Sequence, residues 1–468
     1  MTDQTNASTT DAPTTGASSS ISRKAILKTG AAAAAGLAGA SVLGGVAPAL
    51  AASPARSSGA QNVTLTMWSQ DPLYVKFFTS RSTEFQALPA IKSKYNISYN
   101  IIQIPYAQIF DKLLGTLAAG SGAPDLASLE INAFSRFMKG SILANGMVDL
   151  KPLIGAQYHD FVEARWTPYS KDGHIYGVES GLSPASLYFR GDILSKIGMT
   201  GNEAFPTYED LVSAGNMLKK KTGQAIFVAP VNDIATFSQM FQQVGGHYFG
   251  PDGKLTFDDP RAVTILTYLV NGAKAGIFYT PQDVYSPPMF AAYKQAKVAS
   301  VLMPDWYGDQ FLKLLVKEES GNWRIQLIPA SKLGGHRVSV WGGTGFGVTK
   351  QSKNPSLAWQ FLRYGYMTRA NQIKRFQEIH YFPTMKSVLE APEIQSLTDP
   401  YYGGERIGAL YASVATQVPT QYQSPYWNAF LGQAWGPEYQ NAMLGRKSPS
   451  QAVKDAVAAG KKILAQPA

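Results

Sequence analysis

The sequence predicts an α/β protein in which strands alternate with helices around a largely parallel sheet. Three observations support this class. Short runs of alternating apolar residues predict strands, apolar residues at helical spacing follow them, and turns rich in glycine and proline separate the two. With 468 residues, 45% of them hydrophobic, the chain is long enough for two or three domains.

The first elements form a strand, helix, strand unit. Alternation of apolar residues predicts strands at 63–68 and 97–104, and Pro105 ends the second. Apolar residues recur at helical spacing over 109–117 and stop at Gly120, and a short apolar strand follows at 126–129. Tight turns between such elements are typical of a parallel sheet.

The same order continues downstream. Thr207 and Asp210 have the spacing of a capping box at the start of a helix. Asp259, Asn354 and Ser448 each precede a proline, which predicts three further helix starts with a capping side chain. No internal repeat and no long linker interrupts the chain, so we expect one interleaved α/β protein.

The first 51 residues have the pattern of an export signal. A basic segment from Ser22 to Lys28 precedes an uncharged stretch rich in alanine and glycine, which ends near Ala49-Leu50-Ala51. The basic segment resembles a twin-arginine motif, with Arg23-Lys24 in place of two arginines. The general secretory route and a retained membrane anchor stay open, although the stretch is weakly apolar for an anchor. Residues 52–60 form a polar leader.

Composition narrows the class of function. The net charge of +10 is scattered among acids without a basic stripe, so we expect no nucleic-acid partner. The chain has no cysteine, so it carries no lipid anchor on an N-terminal cysteine. The five histidines lack zinc-helix spacing, and neither a nucleophile elbow nor a Walker loop is present. The sequence therefore predicts no metal, no cofactor and no catalytic residue.

Several segments in order resemble the family-1 extracellular solute-binding proteins of ABC importers, the group that includes maltose-binding protein. The resemblance lies in Leu-Ala-Ala-Gly-Ser-Gly-Ala-Pro-Asp at 117–125, in Asp-Gly-His-Ile-Tyr-Gly-Val at 172–178, in Phe-Pro-Thr-Tyr-Glu-Asp-Leu at 205–211, and in the strand and helix within 345–362. Phe189-Arg190 departs from the family's common Tyr-Asn. Each segment alone is short, but their order and spacing span nearly the whole chain after the export signal.

The resemblance implies a periplasmic-binding-protein fold, in which two α/β lobes, each discontinuous in sequence, are joined by hinge strands. We expect one lobe at 61–182 and 338–378, and the other at 183–337 and 379–468. It further implies a monomer that is exported to the periplasm or cell exterior. There it would capture a small molecule, a sugar or oligosaccharide, for the membrane permease of an importer.

Candidate binding residues follow the predicted strands, because ligands of α/β proteins bind beyond the carboxyl ends of strands. Sugars present hydroxyl groups and flat C–H faces, so carboxylates and amides interleaved with aromatic rings suit them. We expect Trp341 and Gly342 to follow one such strand, and Glu179 to lie at the hinge. The full set is Gln70, Asp71, Tyr106, Glu130, Asn132, Glu179, Asp305, Trp306, Tyr307, Trp341, Gly342 and Tyr381.

Two alternatives stay open from the sequence alone. Paired carboxylates in a cleft are also typical of glycoside hydrolases, so an exported hydrolase is possible. A binding protein for a polyamine or a peptide would place the same residue types in its cleft.

Overall fold

The computed structural model describes residues 59–466, so the export signal and most of the leader lie outside the described residues. Two five-stranded sheets form its framework, and a two-stranded hairpin lies beside them. The strands are β1 (Gln61–Ser69), β2 (Tyr95–Gln103), β3 (Leu126–Glu130), β4 (Ser170–Lys171), β5 (His174–Ile175), β6 (Val178–Glu179), β7 (Ala185–Arg190), β8 (Ala225–Val228), β9 (Phe278–Tyr279), β10 (Val298–Pro304), β11 (Trp323–Leu327) and β12 (Thr344–Val348). The predicted strands β1, β2 and β3 are confirmed.

Both sheets are mixed, so the prediction of a largely parallel sheet is wrong for half of the pairings. In the first sheet, in the order β2-β1-β3-β12-β6, β1 is parallel to β2 and β3, whereas β12 is antiparallel to β3 and β6. In the second, in the order β11-β7-β10-β8-β9, β7 is antiparallel to its two neighbours. The antiparallel strands enter from distant parts of the chain, which a local strand-helix-strand pattern does not reveal.

The helices pack on these sheets. Those of five residues or more are Pro72–Ala87, Tyr106–Ala119, Ile142–Gly146, Gly191–Ser195, Tyr208–Thr222, Ala235–Gln243, Pro260–Lys274, Pro287–Lys294, Pro355–Tyr366, Arg369–Ile379, Ile407–Ala412, Gly436–Met443 and Pro449–Leu464. None of the helices in the described range is long and apolar enough to cross a membrane.

Most predicted helix starts are confirmed by their caps. Thr207 and Asp210 form the capping box, and Asp259 and Ser448 accept hydrogen bonds from the first turns of their helices. Asn354 also precedes a helix, but its side chain caps nothing, so that part of the prediction is wrong. At the end of Tyr106–Ala119, Gly120 has a φ of +70°, a left-handed conformation that glycine adopts without strain.

Two aromatic clusters hold the helices Pro72–Ala87 and Ala235–Gln243 in place. Phe78 of Pro72–Ala87 lies 5.2 Å from Phe346 of β12, measured between ring centroids, and 5.6 Å from Phe361. On the other sheet, Phe237 of Ala235–Gln243 lies 4.7 Å from Trp435. Such buried rings hold a helix firmly, because truncating one costs about 3–5 kcal/mol.

The fold is two-lobed, as in the periplasmic binding proteins it resembles, and the lobes are discontinuous in sequence. Every strand of the first sheet lies before residue 180 or in β12, and every strand of the second lies between 185 and 327. The crossing segments bond to one another: the Ala185 amide donates to Ser339 O at 2.8 Å, and the Leu182 amide donates to Phe382 O at 2.8 Å. Three segments, near residues 182, 339 and 382, therefore form the joint between the lobes.

Candidate functional site

Asp71 joins the ends of strands from both sheets. It follows β1, and its Oδ1 accepts the Leu73 amide at 2.8 Å, which caps the helix Pro72–Ala87. Its Oδ2 accepts two further bonds at 2.6 Å each, from the Tyr381 hydroxyl and from Gln310 Nε2, and Gln310 also bonds Tyr381. Because Gln310 follows β10 of the second sheet, this carboxylate connects the two lobes.

Burial raises the pKa of Asp71 to about 6, although the bonds from Tyr381, the backbone and Gln310 lower it. The carboxylate is therefore mostly ionised at neutral pH and acts as a hydrogen-bond acceptor.

Glu130 organises the polar end of β3. One carboxylate oxygen, Oε2, accepts the Ala133 amide and the Tyr106 hydroxyl, both at 3.0 Å, and the other, Oε1, accepts Asn132 Nδ2 at 3.0 Å. Burial raises the pKa of Glu130 to about 7, while the bonds from the Asn132 and Ala133 amides and from Tyr106 lower it. Tyr106 itself is 55% exposed, so its ring lies at the surface next to the Glu130 carboxylate.

Gln70 braces two neighbouring strands. Its Nε2 donates to Thr344 Oγ1 of β12 at 2.9 Å, and its Oε1 accepts from Ser128 Oγ of β3 at 2.7 Å. Both ends of the amide are therefore already used within the first sheet, which gives Gln70 a structural role beside Asp71.

Glu179 forms a buried ion pair at the joint. Arg165 Nη2 lies 3.0 Å from Glu179 Oε2, and both side chains are 2% exposed. The same nitrogen donates to the Gly342 carbonyl at 3.2 Å. Burial raises the pKa of Glu179, although Arg165 acts in the opposite direction. This pair ties the joint to the segment before β12 rather than reaching into the cleft.

Asp305 and Trp306 lie at the carboxyl end of β10. Asp305 accepts the Phe382 amide at 2.8 Å and the Trp306 amide at 2.7 Å, which fixes the third crossing segment to this strand. Burial raises the pKa of Asp305 to about 7, against the lowering effect of these two amides. Trp306 is half-buried, its Nε1 donates to Trp341 O at 3.0 Å, and its ring stacks on Tyr285 at 6.4 Å with 16° between the planes.

Tyr307, Trp341 and Gly342 differ from the expectations. Tyr307 is fully buried and donates to Val284 O at 2.7 Å, so it packs in the core although it follows a strand. Trp341 is buried and precedes β12 instead of following a strand, because only Val340 pairs there, in an isolated bridge with Pro184. Gly342, with a φ of +65°, lies against the Trp306 ring.

The structure thus brings Asp71 and Tyr381 together in direct contact, joins Tyr106, Asn132 and Glu130, and places Trp306 against Gly342. Sequence reasoning missed Gln310, Tyr285 and Arg165. Gln310 lies on a π-helical turn, Gly308–Leu312, several residues beyond the end of β10. The strand pattern indicates only residues directly after a strand, and a side chain one helical turn further carries no such signal.

A cavity of about 490 Å³ opens beside Tyr285 in the second lobe, bordered by Asp233, Asp283 and Gln440. It lies within the size range of small-molecule sites. No group of histidine and acidic side chains within residues 59–466 has the arrangement of a metal site. The local groups are instead hydrogen-bond acceptors, amides and aromatic faces, which suit a neutral polyhydroxylated ligand or a cation.

Comparison with known proteins adds the family. Residues 85–400 match the family described as bacterial extracellular solute-binding protein. An arabinooligosaccharide-binding protein of Bacillus subtilis (strain 168) is 31% identical over 376 residues, which cover 78% of this chain and 84% of the relative. A protein of the same name from Halalkalibacterium halodurans is 30% identical and covers 69% of this chain and 72% of the relative.

Solved structures share the fold. The sugar-binding protein MalE from Xanthomonas citri superposes with a TM-score of 0.70 at 17% identity, covering 86% of this chain and 97% of that one. At 17% identity, this likeness shows a shared fold only.

Proposed function

Since this chain belongs to the family of bacterial extracellular solute-binding proteins, we propose that it captures a sugar or oligosaccharide between its lobes and delivers it to an ABC importer. The observation that carries the proposal is the contact of Gln310 and Tyr381 with Asp71, which brings the strand ends of both lobes to one point. A ligand that bonds both sides stabilises the closed arrangement over the open one.

The chemistry of the cleft supports a sugar. Asp71, Glu130 and Asp305 are held by backbone amides, so their acceptor oxygens are fixed before a ligand arrives. Sugar hydroxyls donate to carboxylates, and the half-buried ring of Trp306 offers an apolar face for the C–H side of a sugar. Stacking of that kind contributes about 0.5–1.5 kcal/mol per ring beyond buried area, by analogy with ring pairs in proteins.

Arabinooligosaccharides are the first ligands to test, because two relatives, at 31% and 30% identity, are named arabinooligosaccharide-binding proteins. We propose a binding role without catalysis, since each of the three cleft carboxylates already serves a backbone amide. A hydrolase would need one of them to act as a proton donor to substrate and another to act as a base or nucleophile. A polyamine or peptide remains the alternative class of ligand, because the same carboxylates attract cations.

The remaining features of the proposal concern export and partners. We propose that residues 1–51 direct export, by the twin-arginine or the general route, and that the protein works as a monomer in the periplasm or at the cell exterior. The membrane permease of the importer would be its partner. We also propose lobe boundaries at 182/183, 337/338 and 378/379, next to the three crossing segments.

Titration calorimetry on the chain from Ala52 tests the function. Arabinotriose, maltotriose, spermidine and a tripeptide are titrated separately, and each mixture is then analysed by chromatography for cleavage products. Saturable binding of an oligosaccharide without product supports capture. Steady product release would instead identify a hydrolase, and binding of spermidine or the peptide alone would reassign the ligand class.

A further inference from the structure

A cluster of charged side chains lies directly behind the contact between the lobes. This charge cluster consists of Asp309, Lys313, His380 and Asp399. We propose that it is a positioning site, which holds Gln310 and Tyr381 so that both reach Asp71 at once and which thereby sets how firmly the lobes close. The inference rests on the proposed function, in which closure retains the ligand, and it adds residues that none of the sequence patterns indicated.

Asp309 joins the members of the charge cluster. Its Oδ1 lies 3.0 Å from Lys313 Nζ and 2.9 Å from His380 Nδ1. Lys313 also forms an ion pair with Oδ2 of Asp399, whose Oδ1 accepts the Tyr401 amide at 2.9 Å. The four side chains of the cluster are between 7% and 23% exposed, so water screens their charges less than it screens those of a surface pair.

Two members of the charge cluster are sequence neighbours of the two donors to Asp71. Asp309 precedes Gln310 on the π-helical turn, and His380 precedes Tyr381 in the third crossing segment. Gln310 Nε2 and the Tyr381 hydroxyl each donate to Asp71 Oδ2 at 2.6 Å. The bond between Asp309 and His380 therefore fixes the spacing of the two backbone segments that carry these donors. A shift of either segment would separate its donor from Asp71.

Both segments have uncommon backbone conformations. His380 has a φ of +54°, which few residues other than glycine adopt. Gly308–Leu312 is a π-helical turn, and such turns are rare. Its first residue packs so closely on Tyr402 that an added Cβ would collide with the hydroxyl, and Lys313 Nζ lies 5.5 Å from the centre of the same ring. The contacts of the charge cluster therefore help to hold two unusual conformations beside the donors.

The charges of the cluster keep Asp309 ionised. Burial alone would raise the pKa of this carboxyl, but the hydrogen bonds and charges of His380 and Lys313 lower it below its usual value. A carboxylate that is largely removed from water is stable only while its partners are in place. Without Lys313, Asp309 and Asp399 would face each other with no cation between them. Their repulsion would displace the turn that carries Gln310.

Double-mutant cycles test the positioning without any ligand. The coupling energy between Asp71 and Tyr381 is measured from denaturation curves, first in the unmodified protein and then with Lys313→Met added. We expect Lys313→Met to lower this coupling by about half or more, because the two side chains are no longer held in register. Lys313→Arg keeps the positive charge and should restore the coupling. A purely structural role would lower stability and leave the coupling unchanged.

Lys447→Met is the matched control. Lys447 also contacts two carboxylates, those of Glu438 at 2.6 Å and Asp455 at 2.7 Å, but it lies outside the joint. Its replacement removes the same kind of contact and should leave the coupling between Asp71 and Tyr381 as it is in the unmodified protein. An equal loss of coupling in Lys447→Met would overturn the positioning role.

Calorimetry with arabinotriose then tests the effect on capture. A ligand that favours the closed arrangement binds less tightly when closure is weakened. Lys313→Met should weaken binding by about 2–30-fold, the range for coupling through neighbouring side chains. Lys313→Arg and Lys447→Met should bind like the unmodified protein.

Circular dichroism verifies that each variant folds. If Lys313→Met does not fold, His380→Asn decides, since asparagine tolerates a left-handed backbone but has a shorter side chain than histidine to reach Asp309. Unchanged coupling in a folded variant would overturn the positioning role, and weaker coupling with unchanged affinity would overturn its part in capture. If the unmodified protein binds no oligosaccharide, the proposed function fails, and the coupling between Asp71 and Tyr381 still decides on the cluster.

Discussion

Removing the Tyr381 hydroxyl should loosen the connection between the lobes by a measurable amount. Tyr381→Phe deletes the bond of 2.6 Å to Asp71 Oδ2 and leaves the ring in place. A hydrogen bond to a charged group contributes about 1.5–3 kcal/mol, and its partner is buried. Gln310 still donates to the same oxygen at 2.6 Å, so we expect a loss of about 1.5–2 kcal/mol, at the lower end of that range.

A double-mutant cycle isolates this contact. The free energy of unfolding is measured by denaturation for Tyr381→Phe, for Asp71→Asn and for the double variant. The coupling energy should be about 1–2 kcal/mol, because neither change retains the charged bond. Tyr401→Phe is the matched control: its hydroxyl is also buried but bonds the backbone carbonyls of Leu312 and Val316. Its effect should add to that of Asp71→Asn within about 0.5 kcal/mol. Additive behaviour of Tyr381→Phe as well would refute the reasoning.

Three further predictions concern the aromatic rings, the pH dependence and the buried ion pair. Trp306→Ala should weaken ligand binding by about 1–3 kcal/mol with little loss of stability, whereas Trp341→Ala should cost about 3–5 kcal/mol of stability because that ring is buried. Calorimetry measures the loss of binding, and thermal melting measures the loss of stability. The reverse pattern would contradict the placement of the two rings. Folding raises the pKa of Asp305 to about 7, so the native state binds a proton more readily than the unfolded state, and this group's contribution to stability falls as pH rises from about 4 to 7. In Asp305→Asn, the free energy of unfolding measured across this pH range should fall less steeply. An unchanged slope would contradict the prediction. Arg165→Met should lower the free energy of unfolding by about 3–5 kcal/mol, because it leaves Glu179 buried without its partner. Adding Glu179→Gln should restore part of that loss in the same denaturation assay. Equal stability of Arg165→Met and the unmodified protein would disprove the pairing.

Local sequence patterns predicted the strands and helix starts well, but only some of the contacts in the candidate site. Alternation of apolar residues and proline-capped starts located β1, β3 and four helix starts, because these signals depend on neighbouring residues only. Asp71 and Tyr381 were both among the candidates, yet nothing local indicates that residues 310 positions apart form a bond.

The failures have a physical reason as well. Successive residues after a strand point in different directions, so Trp306 faces the cleft rim while Tyr307 enters the core, and position after a strand does not distinguish them. The strand expected before Trp341 is a single bridge, between Val340 and Pro184. Its burial depends on the packing of the joint, which involves three distant segments.

The position of β12 has a consequence for the order of assembly during synthesis. It lies between β3 and β6 in the first sheet, but residues 180–343, with the whole second sheet, separate it from β6 along the chain. The chain up to residue 348 must therefore emerge from the ribosome before the first sheet can be completed. Contacts between residues so far apart in sequence also form slowly. Until then the earlier strands expose unpaired edges, which chaperones can hold. The interleaving that joins the lobes thus keeps the first sheet incomplete for most of the chain's translation.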